Sequence, residues 1–118
     1  MTIQLKRIYD DASSDDGYRV LVDKFWPRGI SKDAANLDEW IKDIAPSDEL
    51  RKWFHSNRSE WGEFRNRYLS ELKKHKEALR DLASKASSEK VTLLYSSKDT
   101  EHNNAVVLKE YLNKLNNN

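Results

Sequence analysis

The side chains best suited to polar chemistry fall into two short stretches, Asp23 with Arg28 and then Lys98, Asp99, His102, Asn103 and Asn104. Arg28 offers a planar fork that matches a phosphate or carboxylate, and Lys98 a point charge. His102 is a candidate acid or base, with Asp23 or Asp99 as the carboxylate that orients it. Asn103 and Asn104 add amides to the same cluster, and Arg7 is a further candidate cation. These parts suit an anionic ligand, and any reaction among them would be acid-base hydrolysis or group transfer, with catalytic roles for His102, Asp23 and Asp99. The competing reading is structural: Arg28 pairs with Asp23, Lys98 pairs with Asp99, His102 serves as a cap, and Asn104 bonds the backbone of the preceding loop. Ser96 or Ser97 beside His102 and Asp99 lacks the strand-turn pattern of a nucleophile elbow. Asp10, Asp11, Asp15 and Asp16 do not have calcium-loop spacing, so no metal and no cofactor is expected.

The elements that hold these residues are legible as patterns. Residues 91–95 (Val-Thr-Leu-Leu-Tyr) read as a buried strand, followed by a polar turn and a helix over about 101–115. Free N–H groups near Thr100 and Glu101 would then carry about half a positive charge, a ready anion site. Residues 18–25 read as a second strand that is apolar on both faces at Val20-Leu21-Val22, and Pro27 and Gly29 stop it. Helices separate these two strands, so they are expected to be parallel, with ligands gathering beyond their carboxyl ends. Residues 3–9 read as the first strand, but the acidic link to Gly17 is short for a parallel crossover. A hairpin is the expected local solution, which would put Arg7 at the opposite edge of the sheet.

Between the strands, a short helix follows Ser31, and Leu37, Trp40, Ile41 and Ile44 continue at helical spacing until Pro46. Ser47 caps a helix bearing Leu50, Trp53 and Phe54, and Asn57 with Glu60 reads as a capping box before the stripe Trp61, Phe64, Tyr68, Leu69 and Leu72. Leu79, Leu82, Ala83 and Ala86 make another stripe. The expected fold is α/β, a small, mainly parallel sheet of about three strands with helices packed on it. One domain over 1–115 and an unstructured tail over 116–118 complete it.

The chain has 118 residues, enough for a self-sufficient core, and no cysteine, which removes disulfides and thiol chemistry and fits a reducing, cytoplasmic setting. No apolar run reaches the roughly 20 residues of a membrane helix. Twenty-one Lys and Arg balance 20 Asp and Glu. Nucleic acid is therefore a disfavoured partner, although Arg51, Lys52, Arg58, Arg65, Arg67, Lys73, Lys74 and Lys76 beside Trp53 and Trp61 keep a protein- or nucleic-acid-interaction module as the rival function. Glu60, Glu63, Glu71 and Glu77 interrupt that run at helical spacing, the pattern of a solvated, salt-bridged face. The residues leave oligomeric state open.

Several motifs occur in order along nearly the whole chain: Arg7-Ile8-Tyr9, Gly17-Tyr18-Arg19-Val20-Leu21-Val22-Asp23, Trp26-Pro27-Arg28-Gly29, Ala45-Pro46-Ser47, Leu50-Arg51-Lys52-Trp53-Phe54 and Glu101-His102-Asn103-Asn104-Ala105. With these the chain resembles the YeaO-like family of uncharacterised bacterial proteins. The resemblance implies a compact single α/β domain and supplies no reaction. Longer relatives look as if they carry Cys-His-Arg near the start of the last helix, where this chain has His102-Asn103-Asn104, so a cysteine-based role does not carry over.

Overall fold

The structure, a computed structural model, describes residues 2–117. Its centre is a sheet of four strands, β1 (Ile3–Arg7), β2 (Tyr18–Leu21), β3 (Glu39–Trp40) and β4 (Val91–Tyr95), in the order β1-β4-β2-β3. All neighbours run parallel: Arg7 sits opposite Tyr95, Leu21 opposite Leu94, and Leu21 opposite Trp40. The hairpin expected for β1 does not form, because β4 inserts between β1 and β2 and the two never pair. The link from β1 to β2 therefore only has to reach across one intervening strand, about 10 Å at ordinary strand spacing. Arg7 consequently lies at the carboxyl edge, beside the end of β4.

The fourth strand is β3, in a stretch whose spacing suggests a helix. The short helix expected after Ser31 forms as α1 (Lys32–Ala35), capped by Ser31, but the helical spacing over 37–44 gives way to β3 and then a 3-10 turn over Lys42–Ile44. Tertiary bonds override the local pattern: Ile41 N donates to Leu21 O at 3.0 Å, and the Trp40 indole N–H donates to Asp23 O at 2.7 Å. Two residues of edge strand are too short to show a period of their own.

Each face of the sheet is covered, which explains the unbroken apolar runs in β2 and β4. Val20, Val22, Val91, Leu93 and Tyr95 join one core with α2 (Asp48–Ser56), α3 (Trp61–Leu72), α4 (Lys76–Ser88) and α5 (Asn104–Asn116). Leu21 and Leu94 point the other way, into a smaller cluster with Ile8 and Ala35, against which Trp26, Ile30, Leu37 and Trp40 pack. Trp53 and Trp61 pack partly buried against the larger core. Ser47 caps α2 as its position suggests, its Oγ accepting from Leu50 N at 3.2 Å. Asn57 does not open a capping box; it closes α2, donating its side-chain amide to Trp53 O at 2.7 Å. The unstructured tail expected from 116 is corrected at its first position, since Asn116 ends α5 and bonds Ala83 O at 2.9 Å. Asn118 lies outside the described residues. Among the described residues no helix is long and apolar enough to cross a membrane.

The acidic turn after β1 is only partly a solvated one. Asp16 is buried on the second face, where its carboxylate meets the buried Arg19 guanidinium, accepts from Lys6 Nζ at 3.1 Å and accepts from Ser13 N at 3.0 Å. Arg19 also donates to Ala35 O and Asn36 O, each at 2.9 Å. Gly17 follows at a positive φ of 66°, and a Cβ there would collide with Lys90 O, so only glycine turns the chain into β2. Burial pushes the Asp16 carboxyl up, but bonds from Ser13, Lys6 and Arg19 outweigh it and hold the group below the usual carboxylate value. A lowered native pKa means stability that is fully present above about pH 4 and is lost as pH falls through the native value. Asp16→Asn should therefore cost about 3 kcal/mol in denaturant unfolding at pH 7, by stranding a buried arginine, and should flatten the loss of stability below pH 4 seen in the wild type.

Candidate functional site

The carboxyl ends of β2 and β4 meet the start of α5, and Asp23 joins all three. Its Oδ2 accepts from Ser96 N at 2.9 Å and Ser96 Oγ at 2.8 Å, and its Oδ1 accepts from Asn104 Nδ2 at 3.1 Å. The same Asn104 amide donates to Val22 O at 3.1 Å. Asn104 thus leads an otherwise apolar helix face because its amide ties α5 to the end of β2, not to the loop before it. Ser96, with its hydroxyl on Asp23, has no histidine to activate it. Arg7 braces the same edge from the far side, donating to Ser97 O at 2.9 Å and Ser96 O at 3.1 Å.

The turn into α5 is built on Asp99. Its Oδ1 accepts from Glu101 N at 3.0 Å and His102 N at 2.9 Å, and its Oδ2 lies 3.4 Å from Arg58 Nη2 and 3.6 Å from His102 Nδ1. The backbone N–H groups of His102 and Glu101 hold the Asp99 carboxyl below the usual carboxylate value. The amides expected to await an external anion near Thr100 and Glu101 are therefore in part filled by the chain's own carboxylate. Asn103, buried, is the N-cap of α5: its Oδ1 accepts from Val106 N at 3.1 Å and its Nδ2 donates to Asp99 O at 2.9 Å. That cap delays the helix to Asn104, three residues beyond its expected start.

A crevice of about 510 Å³ opens beside this junction. Of the residues singled out from sequence, Asp23, Arg28, His102, Asn103 and Asn104 line it, while Arg7, Lys98 and Asp99 do not. Neither expected ion pair is present: Asp23 is engaged with Ser96 and Asn104, and Asp99 with Arg58 and His102. Arg28 is exposed, and its guanidinium has no hydrogen-bond, ion-pair or ring partner among the described residues. Its loop is held from both sides, by Tyr9 Oη donating to Arg28 O at 2.9 Å and by the Trp26 indole N–H donating to Ile30 O at 2.7 Å. Trp26 also meets Trp40 edge to face, ring centres 5.3 Å apart.

Sequence reasoning missed the opposite wall. Arg51, Phe54 and His55 of α2 and Arg58 in the turn after it line the crevice, together with Lys24 and Phe25 from the loop after β2 and Phe64 of α3. Positions 51, 55 and 58 recur at helical spacing, a signal available in the sequence but submerged in the longer basic run. The arginines of that run are paired: Arg65 meets Glu110 at 2.7 Å, Arg67 meets Glu63 at 3.3 Å, Arg58 meets Asp99 at 3.4 Å, and Arg51 shares Asp48 with Lys24 at 3.7 and 2.8 Å.

These features define a small parallel α/β domain with a basic, aromatic-walled crevice at the carboxyl edge of its sheet. Over residues 2–118 the chain matches the family model described as the inactive DUF488-N3 subclade, and it belongs to that family. It is 50% identical over 115 residues to the uncharacterized protein YeaO of Escherichia coli (strain K12), covering 98% of this chain and all of that one. It is 40% identical over 111 residues to the uncharacterized protein Rv3073c of Mycobacterium tuberculosis (strain ATCC 25618 / H37Rv), covering 94% of this chain and 93% of that one. No solved structure gives a significant match.

The two lining groups Asp23 and Arg28 should separate cleanly on mutation. Asp23→Ala removes a charged acceptor of three hydrogen bonds and should lower unfolding free energy by about 2–3 kcal/mol in urea titrations. Arg28→Ala removes no side-chain hydrogen bond or ion pair among the described residues and should stay within about 0.5 kcal/mol of wild type.

Proposed function

We propose that the crevice binds an anionic small molecule, a phosphate or carboxylate compound, and holds it without converting it. The support is Arg28, a cation on the crevice wall with no partner of its own. Lys24, Arg51 and Arg58 line the same crevice with their carboxylate partners Asp48 and Asp99 outside the lining, and Asp23 is the carboxylate within it. An anion there would gain a bidentate partner without displacing an existing ion pair.

Binding without turnover agrees with the description of the family as an inactive subclade. It also agrees with the geometry of the acid-base candidates. His102 is exposed, and 3.6 Å from its Nδ1 to Asp99 is too long for a hydrogen bond that would orient a general base. The rival reading, an interaction surface for protein or nucleic acid on the helices, is weakened by the ion pairs that neutralise Arg65 and Arg67.

A thermal-shift screen of inorganic phosphate, pyrophosphate, citrate, sugar phosphates and nucleotides tests the proposal, since a ligand that binds the folded state raises the melting temperature. At least one anion should raise it, with affinity falling about tenfold or more in Arg28→Ala and changing little in His102→Ala. An unchanged binding curve for Arg28→Ala overturns the site assignment. A salt-dependent nucleic-acid gel shift abolished by changes at Arg65 and Arg67 would move the function to the helical surface.

A further inference from the structure

We infer that the ligand of this crevice is a free mononucleotide, its base stacked in the aromatic half of the wall and its phosphate on the basic rim. The inference rests on the anion-binding reading above and gives that anion a chemical class. Tyr9 and Phe25 are the large hydrophobic residues left exposed among the described residues, at 41% and 57%, and both line this one crevice. Single exposed apolar residues are ordinary, but two converging on a concave basic site mark a surface that something apolar covers.

The shape of the apolar part favours a flat ring. Phe54 and Phe64, buried in the larger core and stacked with ring centres 4.3 Å apart, give the lining a rigid aromatic base, while Phe25 and Tyr9 are the exposed rings of the wall. Aromatic side chains take nucleobases by stacking, which tolerates any base because each presents a π-face. A sugar phosphate or citrate would satisfy the cations but offers no flat ring to cover the exposed aromatic surface.

The cations are arranged around the same ring. Arg51 lies over Phe25 at 5.0 Å and Lys24 at 5.8 Å, so charge and aromatic surface occur within one ligand's length of each other. Arg28 and His55 line the crevice with side chains unpartnered among the described residues. A ligand with a planar ring and an anionic group a few bonds apart satisfies both halves. The volume of about 510 Å³ suits one small molecule, sites for which run roughly 300–1,000 Å³.

Calorimetric titration of the purified protein with AMP, GMP, CMP and UMP tests this, with the four nucleosides, ribose 5-phosphate and a short oligothymidylate as comparison ligands. At least one mononucleotide should bind, with its nucleoside and ribose 5-phosphate each about tenfold weaker or more. Phe25→Ala should weaken the mononucleotide about tenfold or more while leaving ribose 5-phosphate unchanged. Phe25→Leu, which keeps an apolar side chain but no ring, should show the same selective loss and guards against a folding defect in the alanine variant. Ribose 5-phosphate binding as tightly as every mononucleotide, in an Arg28-dependent way, overturns the nucleotide inference and leaves the anion-binding reading standing. Oligothymidylate binding more tightly than any mononucleotide overturns it in favour of a nucleic-acid strand. No binding of any of these phosphates to folded protein overturns the inference, and silence across the wider anion screen as well removes the anion-binding reading with it.

Discussion

Where β2, β4 and α5 come together, three chain segments expose polar groups that ordinary sheet and helix bonds do not reach. The Ser96 N–H has run past the end of the sheet, the Asn104 amide points inward from a helix face that is otherwise apolar, and Val22 O has lost its strand neighbour on one side. Asp23 and Asn104 answer these together, the carboxylate taking Ser96 N, Ser96 Oγ and Asn104 Nδ2 while the amide also reaches Val22 O. A buried or half-buried polar group left unmatched costs about 1–3 kcal/mol, so this small network sets how the last helix sits against the sheet. The crevice has its shape because one wall, at the start of α5, is held by that junction while the opposite wall, at the end of α2, is held by the larger core.

The distribution of charge follows a similar logic. The chain supplies carboxylates for the Lys and Arg side chains other than Arg28 that line the crevice, Asp48 for Lys24 and Arg51 and Asp99 for Arg58, and elsewhere Asp16 serves Arg19 and Lys6 and Glu110 serves Arg65. Asp99 goes further and occupies backbone N–H groups at the approach to α5 that an external anion would otherwise contact. Against that background the informative feature of the crevice is the cation left over, Arg28, rather than the density of basic residues. Ring faces complete the picture, with Arg51 over Phe25 and Arg58 over Phe54 at 5.0 and 4.6 Å, so that positive charge is kept near aromatic surface.

Much of the local structure was legible residue by residue. Ser47 caps α2, the stripe from Trp61 to Leu72 becomes α3, and the apolar run Val91 to Tyr95 becomes a strand buried on both faces, since capping and periodicity act within one or two turns. Asn57 and Glu60 show the limit of that reasoning: they have capping-box spacing, but Asn57 is already committed to closing the helix before it. β3 was hidden because Trp40 obeys its indole bond to Asp23 O and its packing on Trp26, neither of which leaves a trace in neighbouring residues.

By itself the sequence determined the α/β class, the location of the major helices, the family and the stretch from Asp23 to Arg28 as part of a polar cluster, all of which depend on short-range pattern or on motifs in order. Only the tertiary structure decided that β4 enters between β1 and β2, which makes the whole sheet parallel and brings Arg7 to the carboxyl edge, where its guanidinium braces Ser96 O and Ser97 O. Only it decided that Arg28 lines a crevice without a partner among the described residues, and that α2 contributes Arg51 and His55, and the turn after it Arg58, to the opposite wall. The reason is the range of the interactions: caps and amphipathic stripes are settled between residues a few positions apart, whereas strand order and the meeting of two walls depend on contacts between segments many tens of residues apart, whose energies no local window contains.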